Sequence, residues 1–123
     1  MGAFVISKRF NGEFKFVFTS RKGKTIFTSL SYATQEKCEA AIELIKGTIE
    51  KSTYLKFKSS NGKYFFKLVI DEIELASSRK YTTELRLQKG INEIVQYASK
   101  AETLDFSSDD FIFSDLDIIE REI

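Results

Sequence analysis

The chain has no histidine, no proline and a single cysteine. Without histidine, the commonest general base at neutral pH and the commonest zinc ligand are both missing, which weighs against most enzymatic readings. Cys38 is alone and cannot close a disulfide within the chain. No apolar signal segment opens the sequence, so a reducing cytoplasm is the expected location. No apolar run approaches the length of a membrane span, and no membrane partner is expected. What the chain does hold is aromatic and charged: 12 of its 123 residues are Phe and 30% are charged. That apolar load suits a packed interior and argues against disorder. The length allows one domain or two very small ones.

The net charge of +1 hides a split. Residues 1–100 hold 18 Lys/Arg against 10 Asp/Glu, whereas residues 101–123 hold one Arg against eight acids. Such an asymmetry marks an interaction tail or a segment that pairs with its own body.

Order within the chain repeats. Residues 4–46 carry Phe4, Asn11-Gly12, Phe14-x-Phe16, Ser29, Tyr32, Thr34, Ile42 and Ile45. Residues 54–95 carry Tyr54, Asn61-Gly62, Tyr64-x-Phe66, Ser78, Tyr81, Thr83, Ile91 and Ile94. The offset is 50 residues at first and 49 after one turn. Landmarks in the same order at a long period indicate two copies of one supersecondary unit. A unit of this size buries too little surface to fold alone, so the two should share one core. The expected division is residues 1–50 as the first repeat, 51–106 as the second with a closing strand, and 107–123 as an acidic, apolar C-terminal extension.

Each copy reads β-β-β-α. In the first, Phe4–Phe10 is a strand and Asn11-Gly12 a hairpin signal. Phe14, Phe16 and Phe18 then alternate with Lys15 and Val17, as on a half-buried strand. A turn through Gly23 leads to a third strand over Thr25–Ser29. Thr34 caps a helix whose buried stripe is Cys38, Ala41, Ile42, Ile45 and Ile49. In the second copy the strands are Tyr54–Lys58, Tyr64–Ile70 and Ile73–Ser78. The second turn, Asp71-Glu72, is one residue tighter. Thr83 caps a helix that buries Leu87, Gly90, Ile91, Ile94 and Ala98. Hairpin register stays open. A three-residue loop ending in a left-handed Gly pairs Phe4 with Phe18 and Ile6 with Phe16, which suits the first copy. A two-residue loop pairs Leu55 with Leu68 and Phe57 with Phe66, which suits the second. A slip of one residue exchanges the faces.

These landmarks together, F-x-(x)-K…NG-x-[FY]-x-F…S-x-x-Y-x-T…I-x-x-[IV] occurring twice over about residues 3–100, resemble the YegP-like proteins, small bacterial domains of unknown function. The resemblance implies an α+β fold of two tandem β-β-β-α(-β) repeats. They would form one antiparallel sheet with two helices packed on one face and C-terminal strands exchanged between repeats. On that pattern Tyr54–Lys58 completes the first unit while opening the second, and Glu102–Phe106 closes the second. Two departures are Ala41, where a Gly is expected, and the missing Gly in the second turn of copy two. No catalytic residue comes with the resemblance.

Candidate chemistry is sparse. Cys38 falls on a buried helical stripe and reads as a small core residue. Ser29 and Ser78 lie in no nucleophile elbow and read as strand ends bonding local backbone. Asn11, Gly12, Asn61 and Gly62 are turn residues. Tyr32 and Tyr81 precede each helix cap, where a ring can pack while its hydroxyl bonds backbone; ligand contact is the alternative. The clustered carboxylates of residues 109–117 lack the loop spacing of a calcium site, and neither metal nor cofactor is expected. Cations on strands and turns, with Phe57, Tyr64 and Phe65 among them, allow a nucleic-acid or polyanion surface, although no RNP motif is present. The candidate ligand contacts are Tyr32, Tyr81, Lys15, Phe65 and Lys67. Phe111, Ile112, Phe113, Leu116, Ile118 and Ile119 are too apolar for a free acidic tail. They suggest docking on the Lys-rich sheet face beside Val17, Phe65 and Val69, in the same molecule or a neighbour. The favoured reading is a non-catalytic binding or protein-interaction module. The alternatives are a polyanion binder masked by its own tail, and an enzyme without histidine.

Overall fold

Side chains on a β-strand alternate between faces, so Phe16 and Phe18 bury together while Val17 between them stays only half-covered. The same alternation sets the whole sheet in the computed structural model, which describes residues 2–107. The strands are β1 (Ala3–Lys8), β2 (Phe14–Thr19), β3 (Thr25–Ser29), β4 (Thr53–Lys58), β5 (Tyr64–Ile70), β6 (Ile73–Ser78) and β7 (Glu102–Asp105). They form one sheet in the order β4-β5-β6-β3-β2-β1-β7. Two helices, α1 (Gln35–Gly47) and α2 (Glu84–Tyr97), cover one face. Each begins at a threonine whose hydroxyl accepts a first-turn amide: Thr34 from Lys37 N–H at 3.2 Å, and Thr83 from Arg86 N–H at 3.1 Å. The fold is α+β, with a seven-stranded mixed sheet.

The halves meet at β3 and β6, where Phe27 faces Ser78, Thr28 faces Ser77 and Ser29 faces Ala76. Subtracting the 49-residue offset returns the same pairs in reverse, so a pseudo-two-fold axis passes between Thr28 and Ser77. The flanking bonds obey it: Arg79 N–H donates to Ile26 C=O at 3.0 Å, and Leu30 N–H to Leu75 C=O at 3.3 Å. One apolar core runs under both halves, from Phe4, Phe16, Phe18 and Phe27 through Ile42 and Ile45 to Phe66, Leu68 and Ile94.

Three sequence expectations change. The sheet is not antiparallel throughout, because β7 pairs with β1 in parallel, Ala3 opposite Glu102 and Ile6 opposite Asp105. Hairpin-linked strands must be antiparallel, whereas β7 arrives through α2, and a helical crossover permits a parallel partner. Second, β4 pairs only with β5. It opens the second half at one edge, and the strand that extends the first half is β7, at the other. Third, both first hairpins take the same register. Arg9 N–H donates to Glu13 C=O and Ser59 N–H to Lys63 C=O, each at 2.7 Å, around loops ending in Gly12 (φ 87°) and Gly62 (φ 85°). Phe4 therefore faces Phe18 as expected, but Phe57 faces Phe65 and Tyr54 faces Leu68. The left-handed glycine decides it, since a conformation closed to most side chains is open to Gly. The extension after Ser107, its proposed docking included, lies outside the described residues.

Candidate anion-binding cleft and open sheet face

Each β-strand leading to a helix ends on a serine that takes over a backbone ladder position. Ser29 Oγ accepts from Phe16 N–H at 2.9 Å and donates to Leu30 C=O at 2.7 Å. Ser78 Oγ does the same with Phe66 N–H and Arg79 C=O at the same distances. Three residues on, a tyrosine closes the corner through paired backbone bonds, Tyr32 with Phe14 and Tyr81 with Tyr64. The Tyr32 ring stacks on Phe16, centroids 6.2 Å apart. The expected backbone partner for the hydroxyls is not found: both Oη atoms are buried without a hydrogen bond. Burial is the main reason both phenols are pushed above their ordinary range. Arg79, whose guanidinium lies 5.5 Å from the Tyr81 ring centroid, pulls the other way.

From this corner the two halves diverge. Tyr81, only 8% exposed, lines a concavity of about 450 Å³ between the β2–β3 turn, the loop after β6 and one side of α2. The turn contributes Arg21, Lys22 and Lys24. The loop contributes Arg79 and Lys80, and the helix Arg86 and Lys89. Against these seven cations stands one carboxylate, Glu93. Gly90 forms part of the wall, where an added Cβ would come 3.0 Å from Tyr81 Cζ. At the pseudo-symmetric position of the first half, the turn is Asp71-Glu72, the loop reads Leu30-Ser31, and Ala40 stands for Lys89. The positive charge is thus local to one of two equivalent corners.

The face of the sheet away from the helices carries Val17, Lys15, Val69, Phe65 and Lys67 by strand alternation. Phe57 and Phe65, directly opposed on β4 and β5, stack with centroids 5.2 Å apart. Lys67 Nζ lies 5.7 Å from the Phe57 centroid and Lys80 Nζ 5.3 Å from that of Phe65. Lys67 also approaches Glu74 at 3.6 Å. On the helix side, Lys56 Nζ donates to Gln88 Oε1 of α2 at 3.0 Å.

The structure therefore separates the candidates. Tyr81 stands in the cationic cleft and Tyr32 at the counterpart corner, whose turn is acidic, while Lys15, Phe65 and Lys67 share the open face. Arg86, Lys89 and Gly90 were not singled out as ligand contacts from the sequence. Part of the signal was there in the comparison of copies, since Lys89 stands where the first copy has Ala40, and Arg79-Lys80 where it has Leu30-Ser31. Cys38 is fully buried on α1, and its thiol is pushed up to about 11, chiefly by burial, then by Asp105 and Glu39. Among the described residues no group of three or more Cys, Asp or Glu is gathered to hold a metal, and no helix is long and apolar enough to cross a membrane.

A two-layer α+β fold with paired serine–tyrosine corners is the class these features define. The "domain of unknown function" model DUF1508 matches residues 11–53. The UPF0339 proteins YegP of Escherichia coli K12 and of Shigella flexneri are each 30% identical over 95 residues, spanning 76% of this chain and 86% of theirs. The chain belongs to this UPF0339 (YegP) family, whose function is unknown. The solution structure of E. coli yegP matches with a TM-score of 0.74 at 28% identity, covering 87% of this chain and 94% of that one. That of a UPF0339 protein from Shewanella oneidensis matches in fold at 0.75 and 23% identity, covering 86% and 92%.

Proposed function

We propose that this protein is a non-catalytic binding module whose ligand is anionic and sits in the cleft around Tyr81. The observation that carries this reading is the excess of seven cations over one carboxylate about a single concavity. The seven side chains are solvent-exposed, so their mutual repulsion is screened, but together they raise the local positive potential and so attract an anion to the concavity. The absence of catalysis is supported by what the nucleophile candidates do. The Cys38 thiol is buried and held protonated, and Ser29 and Ser78 are committed to backbone.

Calorimetric titration with inorganic tripolyphosphate tests the proposal. Binding should weaken as salt rises, because added ions screen the attraction between the exposed cations and the anion. The double variant Arg86→Glu/Lys89→Glu should lose at least tenfold in affinity. Unchanged affinity in that variant would overturn the reading.

A second reading concerns the helix-free face. Val17 and Val69 lie there without a helix over them, beside Lys15 and Lys67, and residues 107–123 combine seven large apolar side chains with acids. The complementarity supports docking of this segment on the face, in the same molecule or a neighbour. Burial of apolar surface would contribute more than the exposed ion pairs. Ending the chain after Ser107 should then lower the melting temperature or change the oligomer size. A chain so shortened that melts and sediments like the full one removes the idea.

A further inference from the structure

We infer that the anion bound here is a single-stranded nucleic acid, its phosphates in the cleft and its bases on the Phe57–Phe65 stack; this rests on the anion-binding reading above. The two features share a residue. Lys80 lines the cleft and holds its ammonium over the Phe65 ring. A backbone phosphate drawn to Lys80 therefore brings its neighbouring base beside an aromatic platform.

The platform is not needed by the fold. In the first half the positions equivalent to Phe57, Phe65 and Lys67 are Ser7, Lys15 and Val17, and the same strand pairing forms around them. The buried positions show the reverse behaviour, with Phe16 matched by Phe66 and Phe18 by Leu68. Outward aromatics on the sheet thus belong to the second half, whereas the corner cations come from both, Arg21, Lys22 and Lys24 from the first and the other four from the second. Phe57 is 40% exposed on a sheet edge, and the ammonium groups of Lys67 and Lys80 lie over the two rings, so a base reaches the stack as these flexible side chains turn to its phosphates. A cationic groove beside aromatic rings is the arrangement that holds single strands without reading their sequence, since every base has a face to stack. A duplex keeps its bases stacked on each other and would leave the rings unused. An acidic peptide could fill the cleft but offers no regular series of planar groups to the stack.

Fluorescence anisotropy of the full chain tests this with three labelled ten-unit probes: oligo(dT), oligo(U), and an abasic deoxyribose-phosphate strand. Either or both of the first two should bind about tenfold more tightly than the abasic strand, and the preference between them tells DNA from RNA. Phe57→Leu/Phe65→Leu, which keeps apolar surface but removes the rings, should abolish that advantage and leave abasic binding unchanged. Phe57→Ser, borrowed from the first half, is the parallel variant should the double change disturb folding. Arg86→Glu/Lys89→Glu should weaken all three probes together. If the three bind alike and the Phe variants change nothing, the nucleic-acid inference falls while anion binding in the cleft stands. If the charge-reversed variant binds all three as the parent does, the anion-binding reading falls with it.

Discussion

Single side chains in this protein carry backbone duties more often than chemical ones. Ser29 is 8% exposed and its hydroxyl accepts from Phe16 N–H at 2.9 Å, standing in for a ladder carbonyl. Ser29→Ala leaves that donor buried and unpaired, at a cost of about 1–3 kcal/mol. Ser78→Ala should cost less, because Ser78 is only half-buried and water can reach the freed N–H. Urea unfolding of the two variants gives the comparison, and equal, negligible losses would show that water replaces the hydroxyl at both corners. Cys38 gives a pH signature. Its folded-state pKa lies near 11, above the ordinary thiol value, so the protonated core thiol stabilises the fold fully below that ordinary value. The contribution disappears as pH rises through 11. By pH 10.5 the parent should have lost about 2 kcal/mol that Cys38→Ala does not lose, read as converging urea midpoints between pH 8 and 10.5. Parallel midpoints would mean that the thiol titrates alike in both states. Much of this scale was legible in the sequence. A serine and a tyrosine retained at matched places in two copies point to shared structure. The missing hydroxyl partners of the tyrosines were not legible, because hydrogen bonding across a corner depends on the ring's final tilt.

Elements formed where local pattern and turn chemistry agreed, and the differences lie where they did not. The second hairpin's register followed Gly62, a cue in plain view that the apolar pairing of Leu55 with Leu68 had outweighed. Alternation cannot choose between registers when both faces carry large apolar residues, as β4 and β5 do. The turn between β5 and β6 makes the opposite choice, placing Asp71 at φ 53° and Glu72 at φ 65° with Ile70 facing Ile73. Two left-handed central residues define a turn that favours Asn-Gly, and Glu is the poorer fit of the two present. Glu72→Gly should raise stability by about 1 kcal/mol in urea unfolding, offset partly by the freer unfolded chain. A loss instead would show that the Glu72 side chain supplies something the backbone strain conceals. The parallel entry of β7 had no sequence cue, since the four residues Glu102–Asp105 read as a strand without a partner.

At the level of the whole molecule, one sheet and one core run across the pseudo-two-fold. The strand after α2 pairs on β1 of the first half, and β3 joins β6 across the axis, so the first half takes its outer strand from the second. Phe4 and Phe18 of the first half and Phe66 and Ile94 of the second belong to one buried cluster. Chains of about 50 residues rarely bury enough apolar surface to offset their conformational entropy. Residues 1–52 and 53–123, made separately, should therefore each show no cooperative unfolding transition. Mixed in equal amounts, they should regain one, because β7 returns to β1 and β3 to β6 from different fragments. In the intact chain the calorimetric and van't Hoff enthalpies should agree, as one cooperative unit requires. A fragment that melts cooperatively by itself, or an intact chain with two resolved transitions, would show two cores where the structure has one.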